Sequence, residues 1–436
     1  MAQGEVTLDL QTALRAAEHM LGGLGWPRLG ILSFKDEVLV SAKGKAITPE
    51  LLLLALGLKA GEEGLRALVL LNARKEHALS LLGQEGFASL SRLLEPLGLK
   101  LIYFGPSSEG PLASLERARL PFEWLALNAV LLAKLAEAAT PVRRKAKEVD
   151  VSDLPALSRF LVETLGPPSF KEDVLARIKG ANKYEVAADA ISTAAAVISP
   201  TSLIGTGLKY AAKFFSLVRQ RRKEEYRAYL EQWRRNVEAA FSEEVLARLV
   251  GEDGLGPVKE ALEARELAVL VQDAIGTPHE LFLPLLIACL ADELAGEGYL
   301  LALDGASHLA RLDVPVELLP SLPEKHPGLR LACFLPTSGL SYERLPELVR
   351  ALTAERAAIF DLDPALESVL YEGRSAAFRA ALLRCLELAA KERLAGRMAF
   401  VLYDTATAPM PELVVVKAGL LSRLKAKLGR LRRRGT

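Results

Sequence analysis

Between Leu267 and Asp363 four short apolar runs alternate with helix-length segments, and this alternation limits the fold more than any other feature. The runs are LAVLVQD ending at Asp273, YLLALD ending at Asp304, LRLACFLPTSG starting at Leu329, and AAIFDLD ending at Asp363. An unbroken apolar run of this length suits a strand buried on both faces, because a half-exposed strand would alternate apolar with polar residues. The turn-prone Ile275-Gly276-Thr277-Pro278-His279-Glu280 and a long amphipathic segment join the first run to the second. Strand, turn, helix and strand in that order predict βαβ units and a parallel sheet, hence an open α/β domain.

The strand ends carry the chemistry. Asp304 closes the second run and is followed by Gly305-Ala306-Ser307-His308-Leu309, while Thr337 and Ser338 close the third run ahead of a helical segment reaching Val349. On these residues the stretch 267–361 resembles the C-terminal half of the HerA/TraG/FtsK-type P-loop ATPases, hexameric or hexamer-like motors that move DNA. The resemblance implies a RecA-like sheet, with Asp304 in the place of the first Walker B acid and Thr337 and Ser338 at the sensor position. It also implies ATP and magnesium as cofactors, nucleic acid as a partner, and a homo-oligomer or larger assembly.

Two departures bear on activity. The second Walker B acid, which polarises the attacking water, is replaced by Gly305. No G-x-x-x-x-G-K-[ST] phosphate loop occurs in the chain. Its nearest echo is Ser199-Pro200-Thr201-Ser202-Leu203-Ile204-Gly205-Thr206-Gly207-Leu208-Lys209, which follows an apolar run and precedes a helical segment. Thr201, Gly205, Gly207 and Lys209 are the nucleotide-binding candidates there, although the paired Lys-Thr is missing. The expectation is a motor fold with little or no hydrolysis.

Upstream, residues 1–140 are expected to form a small α/β domain. It begins with a helix within 5–25, followed by the runs RLGILSF and EVLVSAKGK as a hairpin turning at Lys35-Asp36. Helices then alternate with the strands LRALVLLN and LKLIYFG. This order is similar to the restriction-endonuclease-like fold, in which an Asp and a Glu-x-Lys bind metal and activate water. Asp36 and Lys43 stand on the hairpin but no Glu-x-Lys follows, so a metal-dependent nuclease is kept as an alternative function. Residues 141–262 are expected to be a charged linker and a helical region, 263–420 the RecA-like domain, and 421–436 a basic tail.

Composition narrows the setting. Half the residues are hydrophobic, a quarter are charged, and the formal net charge is +1, an ordinary globular balance. Leu, Ala, Arg and Glu dominate over Asn and Gln, as in thermophile proteins. The three cysteines, Cys289, Cys333 and Cys385, lie apart in apolar stretches, which excludes a local disulfide framework and reads as a reducing cytoplasm. No Cys/His spacing suggests a metal centre. The segment 191–218 is long enough to span a bilayer but is built of Ala, Ser, Thr and Gly and contains Pro200, Lys209 and Lys213, so a buried hairpin is expected. The tail carries Arg423, Lys425, Lys427, Arg430, Arg432, Arg433 and Arg434 with no acid. A basic tail of this kind suits nucleic acid or an anionic membrane surface, and together with 191–218 it keeps a peripheral membrane protein as a second alternative.

Overall fold

The computed structural model describes residues 7–22, 25–34, 39–42, 45–73, 99–140, 149–167, 223–252, 254–294, 298–338, 340, 342–405 and 408–416. Its centre is a ten-stranded, mostly parallel sheet. The strands, in chain order, are β1 (Thr7–Leu8), β2 (Arg28–Ser33), β3 (Val40–Ala42), β4 (Lys45–Ile47), β5 (Arg66–Asn72), β6 (Leu99–Phe104), β7 (Glu116–Arg117), β8 (Leu120–Pro121), β9 (Val250–Gly251), β10 (Leu267–Gln272), β11 (Tyr299–Leu303), β12 (Leu329–Pro336), β13 (Arg356–Ile359), β14 (Ala399–Asp404) and β15 (Ala408–Val415). In space the large sheet runs β15-β14-β13-β2-β12-β11-β5-β10-β6-β7. From β13 through to β7 every pairing is parallel. Only the two pairings of β14, with β13 and with β15, are antiparallel, at one edge.

The four expected strands of 267–361 are all present, and they are buried as expected of strands covered on both faces. The partition of the sheet was not legible. The longer strands of the first 140 residues, β2, β5 and β6, do not form a sheet of their own. β2 lies between β12 and β13, and β5 lies between β11 and β10, so residues expected in separate α/β domains share one hydrogen-bonded sheet.

The expected hairpin is also corrected. β2 pairs with β12 and β13, whereas β3 turns back onto β4 with Val40 opposite Ile47. The physical reason is burial. Arg28–Ser33 is apolar on both sides and gains most by inserting into the sheet interior, while the shorter β3 and β4 join β1 in a small separate sheet. The hairpin-based likeness to a nuclease fold therefore has no support, and Asp36 and Lys43 lie outside the described residues.

Helices cover both faces. Leu10–Leu21 and Pro49–Glu62 pack together on one side, over the side chains of Leu29, Ile31, Val69, Val271 and Phe334. Phe282–Glu293, Asp313–Lys325 and Leu345–Thr353 cover the other, over Leu32, Leu70, Leu303 and Leu335. Neighbouring residues of one strand thus feed opposite cores. Local signals set the helix starts: Asp9 accepts from the Thr12 N–H, Thr48 from Leu51 with Pro49 next in line, and Ser375 from Phe378. The helix Lys223–Ala240 buries Leu230, Trp233 and Val237 in the core beside Phe241. Trp233 is buried there. Among the described residues no helix is long and apolar enough to cross a membrane; 191–218 lies outside them.

Candidate functional site at the C-terminal edge of the sheet

In an open parallel sheet, ligands are received where the strands end and neighbouring strands send their connections to opposite faces. β2 continues towards β5 through the helix Pro49–Glu62 on one face, and β12 continues towards β13 through Leu345–Thr353 on the other. The residues at these strand ends are the natural candidates.

Asp304 follows β11 directly and is buried, 4% exposed. Its backbone N–H donates to the Leu70 carbonyl at 2.9 Å, and its carboxylate Oδ2 accepts the Asn72 N–H at 3.2 Å. The carboxylate thus extends the pairing of β11 with β5 beyond the last regular bond. Gly305 then turns the chain at φ 68°, in the left-handed region, where a side chain costs about 1–2 kcal/mol. A Cβ there would also meet the His308 ring at 3.1 Å. The turn leads into Ala306–Arg311, in which the Ser307 hydroxyl donates to the Pro336 carbonyl at the end of β12.

Thr337 and Ser338 leave β12 beside β2. The Thr337 N–H and hydroxyl both donate to the Ser33 carbonyl, at 3.0 and 3.3 Å, and the Ser338 N–H donates to Phe34 at 2.9 Å. Asp361, just past β13, accepts from the Ser33 hydroxyl at 3.1 Å and from the Phe34 N–H. The sequence-derived candidates therefore sit on adjacent strand ends, and the structure adds Ser33, Asn72 and Asp361 to them. These additions were hidden because their partners come from distant stretches of chain.

A second polar group lies at the ends of β6 and β10. Asp273 accepts from the Tyr103 hydroxyl at 2.8 Å and from the Ser107 hydroxyl. Burial, and next the Asp273 charge, push the Tyr103 phenol up to about 12. Arg117 lies over the Tyr103 ring at 4.8 Å and donates to the carbonyls of Gly105 and Ser107 at 2.7 and 2.8 Å. Arg248 donates to the carbonyl between them, Pro106, at 2.9 Å. Three successive carbonyls are thereby held by two guanidinium groups, which fixes the loop. Burial holds the Arg117 guanidinium below its ordinary value.

Between the loops after β10 and β11, Glu280 is buried and pairs with Arg311 at 2.6 Å while also accepting the Gly276 N–H at 2.7 Å. Burial raises the Glu280 carboxyl above its ordinary range, and Arg311 acts against that rise. Its second oxygen, Oε1, and the Arg311 Nε are both buried with no hydrogen-bond partner among the described residues.

These contacts describe a tied-down edge. Asp304 holds a backbone donor, Gly305 supplies no carboxylate, and no three His, Cys, Asp or Glu side chains among the described residues group as metal ligands. The described residues here do not by themselves make a magnesium–nucleotide site, which calls for a phosphate-cradling loop and a metal-bound carboxylate. The candidates Thr201, Gly205, Gly207 and Lys209, and the basic residues Arg423, Lys425, Lys427, Arg430, Arg432, Arg433 and Arg434, lie outside the described residues.

Neither a protein-family model nor a curated protein sequence matches the chain. Among solved structures, VirB4 of Thermoanaerobacter pseudethanolicus aligns over 90% of this chain and 99% of its own, at 14% identity and a TM-score of 0.39.

Proposed function

We propose that this chain is a relative of the DNA-handling P-loop ATPases that has kept the parallel sheet and lost efficient hydrolysis. It acts as a nucleic-acid-associated binding or scaffold protein in the cytoplasm, within a homo-oligomer or larger assembly. The observation that carries the reading is the pair Asp304-Gly305. The acid stands at the strand end where such an ATPase needs it, yet its carboxylate bonds to the Asn72 N–H. The next residue is a left-handed glycine with no base to activate water. The absence of a G-x-x-x-x-G-K-[ST] sequence supports the same conclusion, and the tail from Arg423 to Arg434 supplies the charge for phosphate contacts.

The test is direct. ATP binding is measured by calorimetry and turnover by phosphate release, on the full chain and on Asp304→Ala. The reading expects turnover at or near background in both. Turnover in the range of active motors, abolished by Asp304→Ala, overturns it.

A further inference from the structure

The first residue past β2 is an aromatic ring that the fold does not bury. Phe34 is 42% exposed, the only exposed aromatic among the described side chains. Its backbone is nonetheless fixed from both neighbouring strands. The Phe34 N–H donates to Asp361 beyond β13, and its carbonyl accepts the Ser338 N–H beyond β12 at 2.9 Å. Any residue would make those two main-chain bonds, so they do not ask for a ring. Leaving a Phe in water forgoes the burial that drives folding. The ring is held out at the crevice where β2 and β12 send their connections to opposite faces, the place at which an open parallel sheet receives ligands.

The chain leaves the sheet for its basic tail at this same edge. β14 runs against β13, and the Val416 N–H, just past β15, donates to the Met398 carbonyl just before β14 at 2.9 Å. Both residues lie beyond the C-terminal end of β13, as Phe34 and Asp361 do. Three strand spacings separate β15 from β2, about 14 Å. Arg423 follows Val416 by seven positions, enough chain to span about 23 Å. From Arg423 to Arg434 the sequence holds seven cations and no acid, and that length of chain brings its charges within reach of Phe34. The Asp361 carboxylate is already occupied by the Ser33 hydroxyl and the Phe34 N–H. It also lies in the field of the Arg393 guanidinium, which offsets its repulsion of an anion.

The two features select the class of ligand together. A fixed, exposed phenyl face has neither donor nor acceptor, and the chemistry that matches it is another flat ring. A run of cations without an acid calls for a polyanion. A polyanion that carries flat rings with a free face is a single-stranded nucleic acid, because the bases of a duplex already stack on one another. We propose that this edge binds single-stranded nucleic acid, with one base stacked on Phe34 and the flanking phosphates met by the tail. The proposal rests on the nucleic-acid reading above and gives it a surface and a strand form.

The experiment titrates a fluorescently labelled oligothymidylate, and its duplex with oligoadenylate, with the purified full chain. Anisotropy reads both affinities at several salt concentrations. Phe34→Ala is expected to melt as the parent does and to bind the single strand about tenfold more weakly, through the loss of one stack. Its salt slope and its duplex affinity are expected to stay unchanged, because the ring carries no charge. Phe34→Trp is expected to keep the affinity. The three native tryptophans are buried, so the indole added at position 34 reports its own surroundings. Its emission is expected to be quenched by the single strand and not by the duplex. Deleting residues 422–436 is expected to weaken both forms and to flatten the salt dependence. If Phe34→Ala does not fold, the quenching in Phe34→Trp decides. Unchanged single-strand affinity in Phe34→Ala, or binding without quenching in Phe34→Trp, overturns the proposal. The nucleic-acid reading survives that result where the tail deletion still removes binding. Failure of the parent to bind either form overturns both.

Discussion

The carboxylate of Asp304 accepts the backbone N–H of Asn72 at 3.2 Å, joining two residues 232 positions apart in the chain at the ends of adjacent parallel strands. A buried acceptor in that position stabilises the sheet edge whether or not a nucleotide is near. Asp304→Ala leaves a buried N–H without this partner, so a loss of about 1–3 kcal/mol is expected in chemical denaturation. Adding ATP and magnesium should not change the size of that loss. A nucleotide-dependent difference would assign Asp304 to ligand binding instead.

Gly305→Glu restores the missing acid on paper. The left-handed backbone at φ 68° opposes it, and the substitution is expected to cost about 1–2 kcal/mol without producing phosphate release above the parent level. Turnover appearing in this variant would show that only the base had been lost.

Tyr103 gives a pH signature. Its phenol lies above the ordinary value, at about 12, through burial and then the Asp273 charge. The unfolded chain therefore gives up this proton first, near the ordinary tyrosine value of about 10. The stability linked to the protonated phenol is complete below about pH 10 and is lost as pH rises to about 12. Tyr103→Phe should be less stable at neutral pH, having removed a donor to Asp273, but should decline less steeply over that alkaline window. Parallel stability curves in the two proteins would contradict this.

Glu280 and Arg311 form a buried pair whose separation should be costly. Arg311→Met leaves the Glu280 carboxylate buried without its cation, an effect of about 3–5 kcal/mol at neutral pH. The carboxyl already titrates above its ordinary range because of burial. Removing the arginine raises it further, so stability in the variant is greatest in acid and falls as pH rises through the folded-state value. The double variant Glu280→Gln with Arg311→Met should recover much of the loss and flatten that dependence, as urea titrations across pH would reveal.

The basic tail makes a separate prediction. If Arg423 to Arg434 carry nucleic-acid binding, deleting residues 422–436 removes most affinity for duplex DNA and leaves the melting temperature unchanged. Affinity of the parent should fall steeply with salt and depend little on sequence, since as many as about seven phosphates would be neutralised. Binding that survives the deletion at full strength would place the nucleic-acid surface elsewhere.

Much of the central sheet could be read from the chain because its strands are covered on both faces. Leu267–Gln272, Tyr299–Leu303 and Leu329–Pro336 had to be continuous apolar runs, and their polar terminators, Asp304 and Thr337, marked the C-terminal edge of the sheet. Caps were equally local: Asp9, Thr48 and Ser375 sit one residue before the helices they start. Ser33, Asn72, Asp361 and Glu280 were not legible, because nothing near them in sequence announces their partners.

The amino-acid sequence by itself determined the main strands and helices of 267–361, that their strands lie parallel, and that the strand ends carry acids and hydroxyls without a phosphate-loop motif. Those properties depend on residues within a few positions of one another, through periodicity, capping and turn chemistry. Only the tertiary structure decided that β2 enters between β12 and β13, that β5 separates β11 from β10, and that Asn72 meets Asp304. Strand order is set by which two-faced apolar surfaces bury most completely against helices far along the chain. That competition among distant partners leaves no local mark on any one strand.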